Sequence, residues 1–426
     1  MSKRMGNAGL PSVSLLLGLS ADELTLFGGA SSQTGDLIPY YLNILTSSSP
    51  PLDFTQNLYP MLFTVNSAIE GIEQSSSLTP AVKQQLLGEA KFMRGFIYFY
   101  LVNLYGDLPL ALTTDYTKNR LLSRTPQNEV YQQIITDLID AESSLSTNYL
   151  AGDAITVSTD RIRPTKWAAT ALLARVYLFT GDWPNAETEA SKIIENGALF
   201  SLTSLDSTFL ANNQGAIWQL QPVDLPSYTT NTPEARYFVL PDSVGPNISY
   251  PVYLSNSLVN SFETGDQRSV HWIDSTIVKA SPNPPIIYYY AYKYKVIAPN
   301  APVTEYSVVF RIEEQYLIRS EARAQQNNIA GAQEDLNIIR HRASLGDTPA
   351  SSRTDLLTAI LRERRAELFT EWGHRWIDLK RTKTIDAVML LEAPKKGSTW
   401  NTTAQLYPFA SSDLLKDPNL VQNPGY

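Results

Sequence analysis

Apolar positions return every three to four residues from Asp53 to about Gln74 and again from Thr79 to about Tyr105, which predicts two helices joined by a short polar turn. Pro80 after Thr79 suits a first helical turn. Tyr105-Gly106-Asp107-Leu108-Pro109 closes the second helix, because glycine accepts a left-handed cap and proline cannot continue the spiral. A second hairpin is expected from Thr125-Pro126 to about Leu145 and from Pro164 to about Thr180. Gly181-Asp182 breaks it, and the period resumes from Pro184 to about Glu195.

Within that second hairpin, KWAATALLARVYL sets the small residues Ala168, Ala171 and Ala174 beside large ones, which allows helices to approach closely. With GDWPNAETEASKII it resembles a tetratricopeptide unit, a helix-turn-helix repeat of about 34 residues. A similar phrase returns at 311–345. Between them, residues 200–307 follow no helical rule: Pro, Asn, Ser, Thr and Tyr dominate, with strand-like pieces AIWQLQ and PPIIYYYAYKYKV. Residues 1–52 are also poorly patterned, and irregularity returns from Pro394 to Tyr426.

The run Arg362–Arg381 reads as one helix with Leu361, Leu368, Phe369, Trp372, Trp376 and Leu379 on one side and Glu363, Glu367, Glu371, Arg375 and Asp378 along another. Such a density of acids raises the prospect of an all-α glycosidase using Glu367 or Glu371. Glycoside hydrolysis, however, needs two carboxyls facing one bond from opposite sides, about 5–9.5 Å apart. Acids stepping along one helix do not straddle a sugar, so the ladder is expected to be structural, bonded to Arg364, Arg365, Arg375 and C-terminal backbone. His374 has no Ser or Cys partner at a recognisable spacing and reads as a helix-face or cap residue.

Composition narrows the chemistry further. The 426 residues carry a net charge of -8 and a pI near 5.1, the opposite of a nucleic-acid footprint. There is no Cys, and the three His (His271, His341, His374) are scattered, so neither a disulfide nor a thiolate or His-rich metal site is expected. No phosphate loop, zinc-protease motif or calcium loop is present, and no cofactor is expected. No apolar run approaches the ~20 residues that span a bilayer, and no signal-peptide core precedes a cleavage site, so the chain reads as a mature or trimmed form.

What remains is an aromatic excess, 23 Tyr and 7 Trp, much of it in the irregular stretches. Rings with a polar handle suit stacking on sugars or peptide groups. The candidate ligand residues are Asp36, Tyr40, Tyr41, Tyr228, Asn231, Arg236, Trp272, Tyr289 and Trp400. Trp167, Trp183, Trp218, Trp372 and Trp376 lie in helical or strand phrases and are expected in the core.

Five phrases in order give the chain a family likeness: EAKFMRGFIYFYLVNLYGDLPL, the Lys166–Leu178 run with Gly181-Asp182-Trp183, the LIRSEA…DLN…R run, the ERRAEL…RWIDLKR run, and the ending QNPGY. Together they resemble the SusD/RagB family, surface nutrient-binding lipoproteins that partner TonB-dependent transporters. The resemblance implies a mainly α fold, a tetratricopeptide-like α-α superhelix with a large loop-rich region and few strands. It also implies one domain over 1–426, with 53–196 and 308–381 as scaffold and 1–52, 197–307 and 382–426 as ligand-side regions. By the same resemblance the protein binds an oligosaccharide, or a peptide, without reacting and hands it to a SusC-like barrel at the outer membrane. Its lipid anchor and the cysteine that carries it are not in this sequence. Where the family tends to carry Pro-Ile-Pro after the tyrosine, this chain has Tyr407-Pro408-Phe409-Ala410, for which local repacking is expected. A tetratricopeptide adaptor with a concave protein-binding groove is the remaining competitor.

Overall fold

A computed structural model describes residues 12–48, 54–222, 231–279, 284–298 and 301–426. Among them, helices of eight or more residues are α1 (Ser12–Ser20), α2 (Phe54–Gln74), α3 (Pro80–Tyr105), α4 (Gln127–Ser144), α5 (Lys166–Thr180), α6 (Trp183–Ile194), α7 (Ile312–Gln325), α8 (Ile329–Arg342), α9 (Arg353–Leu368), α10 (His374–Arg381) and α11 (Ile385–Glu392). Strands of three or more residues are β1 (Leu24–Leu26), β2 (Ala216–Leu220), β3 (Val252–Leu254), β4 (Ile273–Val278), β5 (Ile286–Ala291) and β6 (Ser307–Arg311). They form two-stranded antiparallel ladders β1–β3, β2–β6 and β4–β5.

The local signals act where the pattern places them. Thr79 is extended before Pro80, and Gly106 ends α3 with φ 71° while its N–H donates to the Val102 carbonyl. Gly181, left-handed at φ 79°, ends α5, and the Asp182 carboxylate then caps α6 by accepting from the Asn185 N–H. Helices α2 to α9 pack as a succession of neighbours, each on the next. The intervening irregular residues leave after α6 and return at α7, yet α6 and α7 pack directly on each other. The superhelix therefore continues as though the insert were absent.

The insert is fastened through aromatic rings. Phe96 of α3 meets Trp218 of β2, Phe310 of β6 and Trp372 at centroid distances of 5.5, 5.8 and 5.8 Å. Tyr407 is a second centre: its ring contacts Tyr40, Phe54, Tyr105 and Trp376, and its hydroxyl lies 2.8 Å from Ser20 Oγ. Helix α1 is apolar around its circumference and lies inside this core.

Two expectations require correction. Arg362–Arg381 is not one helix: α9 stops at Leu368, and Thr370, Trp372 and Gly373 take φ values of 56°, 48° and 70° before α10 starts at His374. The break turns Trp372 to donate its Nε1–H to the Val308 carbonyl at 2.7 Å, while Trp376 meets Trp400 edge to face at 6.1 Å. The acid ladder also has other partners. Glu363 pairs with Arg268 and Arg340, Glu367 with Arg268, Arg311 and Arg342, and Glu371 with Lys293 and Arg311. Arg364 instead takes Asp378, and Arg365 and Arg375 share Asp22. Helical periodicity identifies which charges share a face, but Arg268 and Lys293 arrive from the insert.

Candidate functional site

Strands β1 and β3 pair Leu24 with Leu254 and Thr25 with Tyr253. Because side chains alternate across a strand, the two leucines enter the core while Thr25 and Tyr253 share the other face. Tyr253 and Thr25 line a concavity of 390 Å³ with Tyr41, Asn256, Asn260 and Lys395, a size within the usual range of ligand sites, about 300–1,000 Å³. Ser255 caps the next helical turn by accepting from the Leu258 N–H, and its own hydroxyl donates to the Asp22 carbonyl at 2.6 Å. That turn brings the exposed residues Asn256 and Asn260 onto one side, four residues apart.

Aromatic rings form the wall. Tyr253 meets Tyr288 of β5 edge to face at 5.0 Å, and burial together with the neighbouring Tyr253 pushes the Tyr41 hydroxyl up to about 12. The buried Lys396 ammonium lies 5.2 Å from the Tyr41 ring centre and donates to the carbonyls of Leu19, Ser20 and Ala21 at the end of α1. Burial lowers this ammonium to about 7. The acids that approach the concavity are committed elsewhere. Burial raises the Asp22 carboxyl, but Arg375 and Arg365 outweigh it and hold the group at about 2. Glu392 accepts from Lys395 at 2.8 Å and from Ser257 at 3.1 Å.

Glu23 lies behind this wall, buried, with one oxygen 3.3 Å from the Thr370 N–H. Burial first, and the Asp22 charge second, push its carboxyl from 4.5 up to about 7. The folded protein thus keeps this proton longer than the unfolded chain. The resulting stability is complete below pH 4.5 and is lost as pH rises through 7. Glu23→Gln is expected to remove that loss, gaining roughly 2–3 kcal/mol over wild type at pH 8 and much less at pH 5. Urea unfolding at the two pH values reads the difference, and equal effects at both would count against the assignment.

The chain matches the family described as "Starch-binding associating with outer membrane" over residues 32–178 and the SusD family over 247–426. This chain belongs to the SusD/RagB family. Among the relatives of this SusD/RagB protein is SusD-like protein P2 of Formosa agariphila, 28% identical over 88% of the chain and 80% of that protein. Another is SusD-like protein P38 of the same organism, 25% identical over 90% and 82%. Its fold is shared with a SusD superfamily protein from Bacteroides vulgatus, TM-score 0.82 at 20% identity, covering 100% of this chain and 96% of the other. It is shared equally with a "Laminarin binding SusD-like protein", TM-score 0.81 at 21% identity, 100% and 98% covered. Surface glycan-binding protein A from Bacteroides fluxus follows at TM-score 0.79 and 22% identity, with 100% and 97% covered. The mainly α, tetratricopeptide-like architecture of this SusD/RagB chain is the one its family likeness implies.

The phrases that carry the family likeness meet one another in space. Arg175 holds Glu314 through two bonds of 2.7 and 2.6 Å, Arg319 holds Asp335 at 2.9 and 2.7 Å, and Arg381 holds Glu321 at 2.6 and 2.8 Å. Asn423 of the QNPGY ending donates to the carbonyls of Tyr105 and Tyr407 at 2.9 and 2.8 Å, and its own oxygen accepts from Arg124 at 2.6 Å. In the SusD/RagB chain these motifs are therefore cross-links between segments, and none lines the concavity. Glu367 and Glu371 belong with them: both are buried and surrounded by guanidinium and ammonium groups, so neither presents a face to a glycosidic bond. Burial raises the Glu367 carboxyl, but Arg311, Arg342 and Arg268 overcome it and hold the group well below the usual carboxylate range. That is the reverse of what a general acid needs.

Of the nine candidate ligand residues, Tyr41 lines the concavity. Asp36 and Arg236 are exposed elsewhere, and Tyr228 lies outside the described residues. Tyr289 is exposed on β5, but alternation puts it on the face opposite Tyr288, which meets Tyr253. Four others make contacts within the fold, and three of these, Tyr40, Asn231 and Trp272, are buried away from any ligand surface. Trp272 is fully buried, its Nε1–H bonded to the Leu205 carbonyl at 2.9 Å and Lys293 over its ring at 4.8 Å. Asn231 is a buried loop clamp, its oxygen accepting from the backbone N–H groups of Thr304 and Glu305. Tyr40 packs edge to face on Tyr407, and half-buried Trp400 donates to Asp386 at 2.7 Å. Sequence reasoning passed over Tyr253, Asn256 and Asn260, although VYLSNSLVN does carry a signal: an alternating strand with an outward Tyr followed by a hydroxyl- and amide-rich turn.

Proposed function

We propose that this SusD/RagB protein captures a glycan at the Tyr253 concavity without transforming it, then passes it to a SusC-like TonB-dependent transporter at the outer membrane. The observation that carries this reading is the pairing of a tyrosine wall with exposed amides in a concavity whose acids are already neutralised. Sugars offer apolar ring faces and many hydroxyls, and such a surface matches both. Asp22 and Glu392 are committed to Arg and Lys partners, which leaves no pair of free carboxyls for hydrolysis. The names of its structural relatives, one a laminarin-binding protein and one a surface glycan-binding protein, lend support.

Calorimetric titration with laminarin, starch, xylan, mannan and a mixed peptide pool tests the reading. One or more glycans are expected to bind unchanged, with affinity reduced tenfold or more in Tyr253→Ala. Binding confined to peptides would replace the sugar, and release of reducing ends would replace capture with catalysis. Delivery is tested separately by co-purification of a TonB-dependent barrel from outer membranes.

A further inference from the structure

A second concavity, of 900 Å³, shares no residue with the first. It lies between the first turns of α2, the short helix Tyr116–Asn119 with Arg120, and the C-terminal segment 409–420. Thr55 donates to Asp413 at 2.9 Å and Gln56 to Ser412 at 3.2 Å, while Asn419 donates to the Leu121 carbonyl at 2.8 Å. The three segments are thus tied together around the space they enclose.

Its lining has the chemistry of sugar recognition. Tyr116 is 70% exposed, an unusual placement for a large ring, and Arg120 lies 5.8 Å from its centre on one side. Pro60, inside α2 and in the cleft lining, has no N–H to give the carbonyl of Gln56 four residues earlier. Charges in the lining balance, with Asp413 and Asp417 against Arg120 and Lys416. A uronic or sulfated chain would need an excess of cations there, whereas an uncharged chain needs hydroxyl partners and a ring to stack on.

We propose that this cleft is a second carbohydrate-binding site, taking an uncharged oligosaccharide stacked on Tyr116. It shares with the Tyr253 site only the class of ligand, and two sites on one chain would raise the retention of a long polymer without tightening either grip.

Crystals soaked separately in laminaritriose, cellotriose, maltotriose and mannotriose, with calorimetry of the same sugars, test it. The expected result is density against Tyr116 for at least one sugar and a second binding event in solution. Tyr116→Ala should abolish that event and leave the Tyr253 event unchanged, with Tyr253→Ala giving the converse. Density and binding at Tyr253 alone overturn this proposal and leave the proposed function standing. Sugar at Tyr116 alone supports the cleft and overturns the assignment of the first site, and sugar at neither overturns both. Density at Tyr116 with no Tyr116-dependent event in solution is binding at crystal concentration only and also overturns the proposal.

Discussion

Arg311→Met is expected to destabilise the protein by about 3–5 kcal/mol, the cost typical of removing one partner from a buried ion pair. Arg311 is the centre of the buried network: its guanidinium reaches Glu367 at 2.5 Å, Glu371 at 2.8 Å and Glu313 at 3.3 Å. All three acids are 5% exposed or less. Methionine fills much of the same space, so the loss isolates charge from volume. Glu367 would retain Arg342 and Arg268, but Glu371 would depend on Lys293 alone, whose ammonium burial already lowers to about 8. A urea midpoint within error of wild type would sink this account. The double variant Arg311→Met with Glu371→Gln should recover part of the loss, because it removes a carboxylate that has lost one of its two cations.

Gly373→Ala is expected to cost roughly 2–4 kcal/mol, combining left-handed backbone strain with overpacking. Gly373 has φ 70°, and an added Cβ would lie 2.4 Å from Leu17 Cδ1 and 2.8 Å from Leu17 Cβ. Leu17 has no room to retreat, since α1 is enclosed by the core. The break between α9 and α10 depends on this contact: the Trp372 N–H donates to Ser14 Oγ at 2.8 Å on the same helix. Leu17→Ala on the Gly373→Ala background removes the Cδ1 contact but leaves Leu17 Cβ 2.8 Å from the added carbon, so the pair should cost less than the sum of the two single substitutions without returning to wild-type stability. A Gly373→Ala protein that melts with wild type would show that the turn yields without cost.

The two predictions rest on different kinds of information. Gly181 and Asp182 act on their own turns, as do Pro80 and Gly106, so the helices they bound are legible from neighbouring residues alone. Gly373 carries a weaker local signal, because glycine between Trp372 and His374 marks a break only once α1 is known to lie against it. Trp272 misled for a similar reason. It sits beside loop residues in sequence, yet Leu205 and Lys293 enclose it.

The sequence by itself determined the helices bounded by their own caps and breakers, and the family, because helical period, caps and breakers act over a few residues and the family phrases keep their order. Tertiary structure decided which charges meet and which rings face solvent. Arg268, Lys293 and Arg311 find Glu367 and Glu371 only when the insert folds back on α9 and the turn after it. Tyr253 faces the concavity because β3 pairs with β1, more than two hundred residues away, in the register that sends Leu254 inward. A shift of one residue would exchange the two, since alternation ties every outward side chain to an inward one.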